Sequence, residues 1–207
     1  MSFLKEYWQA NCYKHLTWRG VPVWKMPSDL LIYQELIVSC EPTWIIETGT
    51  FKGGSALFMA DVCSLIGWGR VITIDTNLEQ VEPLVKKHKL VHTVQGSSTD
   101  PDTVEFIKAI VKADDCLVVL DSSHFATHVI KELEAYQQFV RLDGYLIVED
   151  GYLGTAINET VVGKGEGPAA AIHNFLSSNS DFRIDKELCS KHLVSFNPDG
   201  YLRRVSE

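Results

Sequence analysis

Three carboxylates follow two apolar runs of the sequence. Asp121 comes directly after the run at 116–120, and Glu149 and Asp150 come directly after the run at 145–148. If these runs are neighbouring parallel strands, their ends lie about 5 Å apart, and carboxylates at that spacing repel one another unless a cation neutralises them. Oxygen ligands without cysteine point to Mg²⁺, with Mn²⁺ or Ca²⁺ as alternatives. The sequence therefore predicts a metal site formed by Asp121, Glu149 and Asp150.

A geometric condition applies to the last two of these carboxylates. Successive residues of a strand face opposite sides, so Glu149 and Asp150 reach one ion only if the backbone leaves the strand between them. The alternative is that Asp121 pairs with the ammonium group of a bound ligand while Glu149 caps a loop. Both interpretations stay open at the level of the sequence.

His124 lies three residues after Asp121, just beyond the expected end of the strand. A neutral imidazole there is suited to act as a general base, and the alternative is a loop histidine hydrogen-bonded to the backbone. His124 and Asp121 are therefore the candidate catalytic residues. The other histidines considered lie beside lysines or on helices without an acidic partner at metal-ligand spacing, and none is assigned a role: His88, His92, His128 and His173.

The first apolar run, at 44–46, leads into a glycine-rich turn at 47–55 and then into a helical stretch. In open parallel sheets, ligands bind outside the carboxyl ends of the strands, where glycines allow close approach to the backbone at a helix N-terminus. The turn is not the Gly-x-Gly-x-x-Gly fingerprint of dinucleotide sites. Because Glu47 would repel a pyrophosphate, a ligand that carries a positive charge and a ribose fits better.

Two further strand ends extend this pattern. Asp75 ends the second apolar run, a position where an acidic side chain binds ribose hydroxyls in doubly wound folds. Gly96 and Ser97 follow the third apolar run, where they can flank an adenine. The alternative is that the glycines only allow tight turns and Asp75 caps the next helix. The candidate cofactor-binding residues are Glu47, Gly49, Thr50, Phe51, Gly53, Ser55, Asp75, Gly96, Ser97 and Asp121.

These residues need a scaffold of alternating strands and helices. Short apolar runs alternate with helical stretches, which is typical of βα units around a parallel sheet; the strand candidates are 44–46, 71–74, 90–94, 116–120 and 145–148. Two later runs, 182–184 and 193–196, are expected to form an antiparallel hairpin at one edge. The predicted fold class is α/β: a Rossmann-like, doubly wound, mostly parallel seven-stranded sheet.

Residues 1–42 precede the first expected strand and form a predicted N-terminal helical cap on a domain at 43–207, within one compact domain overall. This segment contains Trp8, Trp18 and Trp24, which can roof the pocket or pack only within the cap. Helix starts are expected at Asp100-Pro101 and at Pro168. The glycine-rich stretch at 163–168 can close over a substrate, or it can serve as a flexible entry to the helix at Pro168.

The composition excludes several classes of protein. The chain has 207 residues, 45% of them hydrophobic, and a formal net charge of −8, so it is neither disordered nor an obvious partner for nucleic acid. No apolar run is long enough for a membrane span, and the first residues lack a signal-peptide core, so a cytoplasmic location without membrane attachment is expected. The five cysteines form no Cys-x-x-Cys pair and indicate no thiolate metal site.

With these residues in place, the sequence resembles the class I S-adenosylmethionine-dependent methyltransferases, and among them the cephalosporin hydroxylase and rhamnosyl O-methyltransferase family. The resemblance runs from about Gly20 to Val205. It is carried by the segments 20–22, 27–30, 33–35, 47–50, 53–56, 121–124, 148–150, 165–168 and 196–202.

The resemblance implies S-adenosylmethionine at 47–55 and Asp75, and a divalent ion at Asp121, Glu149 and Asp150. Related catechol-type O-methyltransferases have a basic residue three positions after the first metal aspartate, and His124 occupies that place here as histidine rather than lysine. The expected reaction is an in-line, metal-dependent transfer of a methyl group to a hydroxyl of a sugar, polyol or natural-product acceptor.

Two other functions are weighed against this one. A non-catalytic module that binds S-adenosylmethionine would keep the same pocket. A hydroxylase is suggested only by part of the family's name, and no histidine is followed two positions later by the Asp or Glu that non-haem iron oxygenases commonly carry. The sequence leaves the oligomeric state open, with a homo-oligomer among the options.

Overall fold

The computed structural model describes residues 3–112, 115–155, 158 and 161–206. The helices are α1 (Phe3–Gln9), α2 (Pro27–Cys40), α3 (Gly54–Ile66), α4 (Pro83–Lys86), α5 (Pro101–Val111), α6 (Ala126–Tyr136), α7 (Pro168–Ser178) and α8 (Lys186–Ser190). The strands are β1 (Thr17–Trp18), β2 (Val21–Pro22), β3 (Trp44–Thr48), β4 (Arg70–Asp75), β5 (Val91–Gln95), β6 (Cys116–Leu120), β7 (Tyr145–Val148), β8 (Phe182–Ile184) and β9 (Tyr201–Arg204). Two short 3-10 helices span Cys12–His15 and Gln137–Phe139.

One seven-stranded sheet, in the spatial order β5-β4-β3-β6-β7-β9-β8, confirms the predicted α/β class. Neighbouring strands are parallel except at β9, which runs antiparallel to both β7 and β8. β3 and β6 are buried along their whole length; β6 is continuously apolar, as expected for a central strand, whereas β3 also buries Glu47 and Thr48 at its end. After β5 the chain returns to β6 beside β3, and open α/β sheets bind ligands in the crevice at such a switch point.

The first strand of the predicted edge hairpin is confirmed, and the second strand is wrong. β8 occupies the run at 182–184, but its partner is β9 rather than the run at 193–196. Leu193 has a φ of 62° and is 92% exposed, and the backbone N–H of Phe196 donates to Asp29 Oδ2 at 2.9 Å. Because Asp29 takes this N–H group, the run at 193–196 forms irregular backbone instead of a strand ladder.

The N-terminal segment packs against the sheet. Val21, Leu30 and Tyr33 share a buried cluster with Ile45 of β3 and Leu57 of α3. The β1–β2 hairpin, absent from the sequence-based expectations, turns at Arg19 and Gly20, whose φ angles of 49° and 82° fit a tight two-residue turn. The predicted cap is therefore continuous with the core, while a domain boundary at residue 42 stays a prediction.

Two predicted helix starts are confirmed. Asp100 caps α5 by accepting from the Asp102 backbone N–H at 3.1 Å, and Pro101 occupies the first turn. Pro168 begins α7 directly after Gly167. Among the helices of the described residues, none has both the length and the apolar character of a membrane span.

Candidate active site

Two adjoining cavities open at the carboxyl ends of the parallel strands. The larger, of about 510 Å³, is lined by many of the predicted site residues: Gly49, Thr50, Phe51, Gly53, Ser55, Asp75, Asp121, His124 and Asp150. The smaller, of about 200 Å³, contains the other two residues expected near an adenine, Gly96 and Ser97. The cavities share the lining residues Gly49, Asp75, Thr76 and Ser122, so they adjoin one another, and the two together are called the groove. Glu47 and Glu149 line neither cavity.

The turn after β3 depends on Gly49. Its φ of 86° lies in the left-handed region, and a Cβ at this position would overlap the backbone carbonyl of Asp121. The Gly49 N–H donates to the Ile74 carbonyl at 2.8 Å. The glycine therefore lets the end of β3 approach both neighbouring strand ends.

Glu47 stabilises this turn through hydrogen bonds of its carboxylate. The side chain is fully buried, its Oε1 accepts from the Ser55 hydroxyl, and its Oε2 accepts from Thr73 Oγ1 at 2.6 Å. Burial raises the pKa of Glu47 to about 7, although the nearby Lys25 ammonium opposes the shift. Both carboxylate oxygens of Glu47 are thus bonded to the turn and to β4, and its direct contact with a cofactor stays a prediction.

Asp75 stands at the end of β4 with both oxygens partly engaged. Oδ2 accepts from the Phe51 backbone N–H at 2.9 Å, and Oδ1 accepts from the Asn77 backbone N–H at 3.0 Å. The helix-cap alternative does not apply, because the next helix begins only at Pro83. The exposed Thr76 hydroxyl also lies 3.5 Å from Oδ1, whereas Oδ2 keeps a lone pair, so the oriented carboxylate is suited to accept from a diol in the cavity.

The acidic cluster at β6 and β7 brings together Asp121, His124 and Asp150. One potential ligand atom of each lies within 4.8 Å of the other two, and His124 Nε2 is 3.3 Å from Asp150 Oδ2. The backbone does leave the strand at Asp150, whose φ is 57° and whose N–H donates to Asn197 Oδ1 at 3.0 Å. Burial raises the pKa of Asp150 to about 6, against the opposing effect of His124.

Glu149 lies outside that group of three and is bonded to the N-terminal segment. Its Oε1 accepts from the Lys25 ammonium and from the Tyr33 hydroxyl, the latter at 2.6 Å. Lys25 Nζ also lies 2.7 Å from Asp121 Oδ2. Burial alone would lower the pKa of Lys25, but the carboxylates of Asp121 and Glu149 raise it, so the ammonium stays charged. This lysine was not among the predicted site residues. It supplies part of the positive charge that the carboxylates were expected to need.

A hydrogen-bonded chain fixes the same corner from the C-terminal side. The Asn197 side-chain amide donates to the Tyr33 hydroxyl at 3.2 Å, and the Tyr201 hydroxyl donates to Asp29 Oδ1 at 2.9 Å. The Ser195 hydroxyl donates to the same Asp29 oxygen at 2.6 Å. These bonds hold α2, β9 and the turn before β9 around the acidic cluster.

Aromatic side chains form part of the larger cavity. Trp8 stacks on Tyr13 with ring centroids 4.5 Å apart, and Trp24 lies 4.5 Å from Phe51. All four line the cavity, so two of the three N-terminal tryptophans contribute to its wall. Trp18 does not, because it packs on Phe58 and donates to Asp61.

The segment after β7 also borders the larger cavity through Leu153 and Val161. The Glu166 carbonyl accepts from the Ala126 N–H at 2.8 Å, which ties the glycine-rich stretch at 163–168 to the start of α6. Residues 156, 157, 159 and 160 lie outside the described residues. Closure of this stretch over a substrate stays a prediction.

The comparison with known proteins now decides the family. The sequence profile of the Rhamnosyl O-methyltransferase/CmcI family matches residues 10–205. The chain belongs to this family. A rhamnosyl O-methyltransferase of Mycobacterium tuberculosis is 30% identical over 98% of this chain and 84% of the relative. One of Mycobacterium leprae is 29% identical over 98% of this chain and 89% of the relative.

Solved structures of methyltransferases have a similar fold. CmcI described as a Mg-SAM form has a TM-score of 0.71 at 21% identity, covering 93% of this chain and 78% of that one. The MycE methyltransferase of the mycinamycin pathway, in complex with Mg and SAH, has a TM-score of 0.53 at 20% identity over 71% of this chain and 39% of that one. The resemblance and the enzyme class predicted from the sequence, O-methyltransferase, are thereby confirmed at the level of the family.

Proposed function

We propose that this chain is a metal-dependent O-methyltransferase, which moves the methyl group of S-adenosylmethionine to a hydroxyl of a small molecule. One observation carries this proposal most directly. The groove that begins at the glycine turn ends at Asp121, His124 and Asp150, so a methyl donor and a group of acid, base and metal ligands share one space. Membership of the Rhamnosyl O-methyltransferase/CmcI family supports the same chemistry.

The residues present fit the proposed cofactor. Gly49 lines both cavities at the end of β3, and Asp75 presents an oriented carboxylate to a ribose. Gly96 and Ser97 border the smaller cavity, where an adenine would lie. Structural neighbours in complex with SAM and SAH have the same fold, which supports this placement.

The donor set also fits a divalent ion. Asp121 and Asp150 offer carboxylate oxygens within one cluster, as Mg²⁺ and Mn²⁺ require, and His124 stands beside them. Glu149, the third ligand expected from the sequence, joins this set only when it gives up its bond to Lys25. Asp121 and Asp150 are therefore the residues assigned here to hold the ion.

The mechanism follows from the positions of the side chains. When bound, S-adenosylmethionine supplies the methyl group and a divalent ion supplies positive charge that favours deprotonation of a hydroxyl. His124 takes the proton of the acceptor hydroxyl at Nδ1, because Nε2 faces Asp150 Oδ2 at 3.3 Å and carries the ring N–H that donates to this carboxylate; Asp150 then stabilises the resulting imidazolium. Trp24 and Phe51 exclude water from the same cavity and orient the acceptor for in-line attack.

The proposed acceptor carries a hydroxyl and at least one apolar face. Trp8, Tyr13 and Trp24 line the cavity near the acidic cluster, and such rings pack against the C–H face of a sugar or against an apolar ring system. The relatives named rhamnosyl O-methyltransferases support a sugar hydroxyl among these acceptors. A hydroxylase is disfavoured, since the described cluster has one histidine and two carboxylates rather than two histidines and one carboxylate.

The test is an incubation with methyl-labelled S-adenosylmethionine, Mg²⁺ and a panel of glycosides, catechols and polyols. We expect label on a hydroxyl oxygen of at least one glycoside or polyol, with S-adenosylhomocysteine as the second product. Tight cofactor binding without transfer to any acceptor would support the non-catalytic module instead. Acceptor oxidation in the presence of Fe²⁺ and oxygen would support the hydroxylase.

A further inference from the structure

A cluster of four polar side chains borders the smaller cavity and has no part in the chemistry above. Ser98, Ser122 and His128 line the cavity, and Glu132 lies behind them with 1% of its surface exposed. His128 was assigned no role because no acidic partner was evident in the sequence. In the structure it has one, since His128 Nε2 is 3.6 Å from Glu132 Oε1 one helical turn further along α6.

Glu132 fixes the direction of the hydrogen bonds in this cluster. A carboxylate only accepts, so the Ser122 hydroxyl donates to Glu132 Oε1, at 2.7 Å. His128 Nε2 lies 3.1 Å from Ser122 Oγ and 3.2 Å from Ser98 Oγ. Because the Ser122 proton is committed to Glu132, the imidazole N–H is the donor toward Ser122. The Ser122 oxygen is left able to accept a hydrogen bond and unable to donate one.

This polarity selects among purines. The 6-amino group of adenine donates hydrogen bonds, whereas the 6-oxo group of hypoxanthine only accepts them. A Ser122 oxygen that can only accept satisfies the amino group and offers no donor to the oxo group, close to a buried carboxylate. The Ser98 hydroxyl, which lines the same cavity, can donate or accept and does not distinguish the two bases. A buried polar group without a partner is costly, so the two bases differ in affinity.

We propose that Glu132, acting through Ser122, makes the smaller cavity selective for a purine with a 6-amino group. Glu132 and His128 are positioning residues in this account, and Ser122 is the side chain that contacts the base. The proposal rests on the proposed function, in which the adenosyl part of the cofactor lies in this groove. It gives a role to Oε1 of a buried glutamate whose Oε2 has no hydrogen-bond partner among the described residues.

The test compares the dissociation constants of S-adenosylhomocysteine and S-inosylhomocysteine, which differ only at this edge of the base, by isothermal titration calorimetry. The wild-type protein is expected to prefer the adenosyl compound by about tenfold or more. Glu132→Gln places an amide that can donate to Ser122, which frees the Ser122 proton for an oxo group. The preference should then fall to within about threefold of unity, chiefly through tighter binding of the inosyl compound.

A merely structural role would weaken both ligands equally and leave their ratio unchanged, which would overturn the proposal. If Glu132→Gln does not fold, Ser122→Ala is measured instead and should lose affinity for the adenosyl compound alone. An unchanged ratio in that variant overturns the proposal as well. Glu105→Gln, at a 76% exposed side chain of α5, is the matched control. Failure of the wild-type protein to bind either compound would contradict the proposed cofactor itself, a separate result.

Discussion

The Lys25 ammonium lies 2.7 Å from Asp121 Oδ2, so the N-terminal segment supplies a cation to the carboxyl end of the central sheet. The same ammonium donates to Glu149, and its side chain is only 2% exposed. The acidic cluster is therefore charge-compensated in part by the chain itself. The N-terminal segment belongs to the site for this reason, as well as for its aromatic side chains.

Replacing this lysine should destabilise the protein. Lys25→Met leaves the Glu149 carboxylate buried without its cationic partner, and breaking such a pair typically costs about 3–5 kcal/mol. The free energy of unfolding, measured by urea denaturation without added metal, is expected to fall by about this amount. Lys131→Met, on the exposed surface of α6, should leave the unfolding midpoint unchanged. Equal midpoints for the two variants would show that the buried ion pair contributes nothing to the fold.

Removal of one proposed metal ligand should separate ion binding from cofactor binding. Asp150→Asn takes a charge from the cluster, and Mn²⁺ affinity, followed by electron paramagnetic resonance of the free ion, should fall by about tenfold or more. Affinity for S-adenosylhomocysteine should change little, because Asp75 and the glycine turn are untouched. Asp143→Asn, at an exposed turn beyond the opposite end of β7, is the control. Wild-type Mn²⁺ affinity in Asp150→Asn would remove Asp150 from the ligand set.

The proposed base has a kinetic signature. His124→Gln removes the proton acceptor but keeps a polar side chain, so kcat should fall by about 10²–10⁴-fold while KM for the acceptor changes little. The pH profile of the residual rate should lose the limb that depends on the base. His173→Gln provides a matched histidine control, at a 61% exposed side chain near Asp199. A kcat within the range of that control would assign the proton to another group.

Glu47 should make the stability of the ligand-free protein depend on pH. Its pKa rises from 4.5 to about 7 on folding, so the folded state binds the extra proton between these values. Stability from this group is fully present below pH 4.5 and is lost as the pH rises through 7, by about 3 kcal/mol at most. Glu47→Gln should abolish that part of the decline in urea-unfolding measurements across this range. Parallel curves for the variant and the wild type would contradict the raised pKa.

The strand ends could be predicted from the sequence because they depend on local pattern. A buried strand followed by a polar residue fixes where Asp75 and Asp121 lie, and parallel pairing brings them to one edge. Lys25 could not be found in this way, since it reaches Asp121 across 96 positions of the chain. The run at 193–196 was mistaken for a strand because its apolar character serves the aromatic packing of Phe196, which periodicity alone does not distinguish from a ladder.

The Glu149 assignment shows a second limit of the sequence. Adjacent carboxylates at a strand end look equivalent, yet the left-handed backbone at Asp150 turns that residue toward His124 while Glu149 faces Lys25 and Tyr33. A single φ angle, stabilised by Asn197 from the other end of the chain, separates their environments.

The most direct test of the central claim is the rate of methyl transfer from S-adenosylmethionine to a glycoside hydroxyl before and after removal of divalent ions. The account predicts that EDTA abolishes transfer, that excess Mg²⁺ or Mn²⁺ restores it, and that the Asp150→Asn variant stays inactive at the same ion concentration. Full transfer in EDTA by both the wild-type protein and Asp150→Asn would contradict metal-dependent methylation at this site.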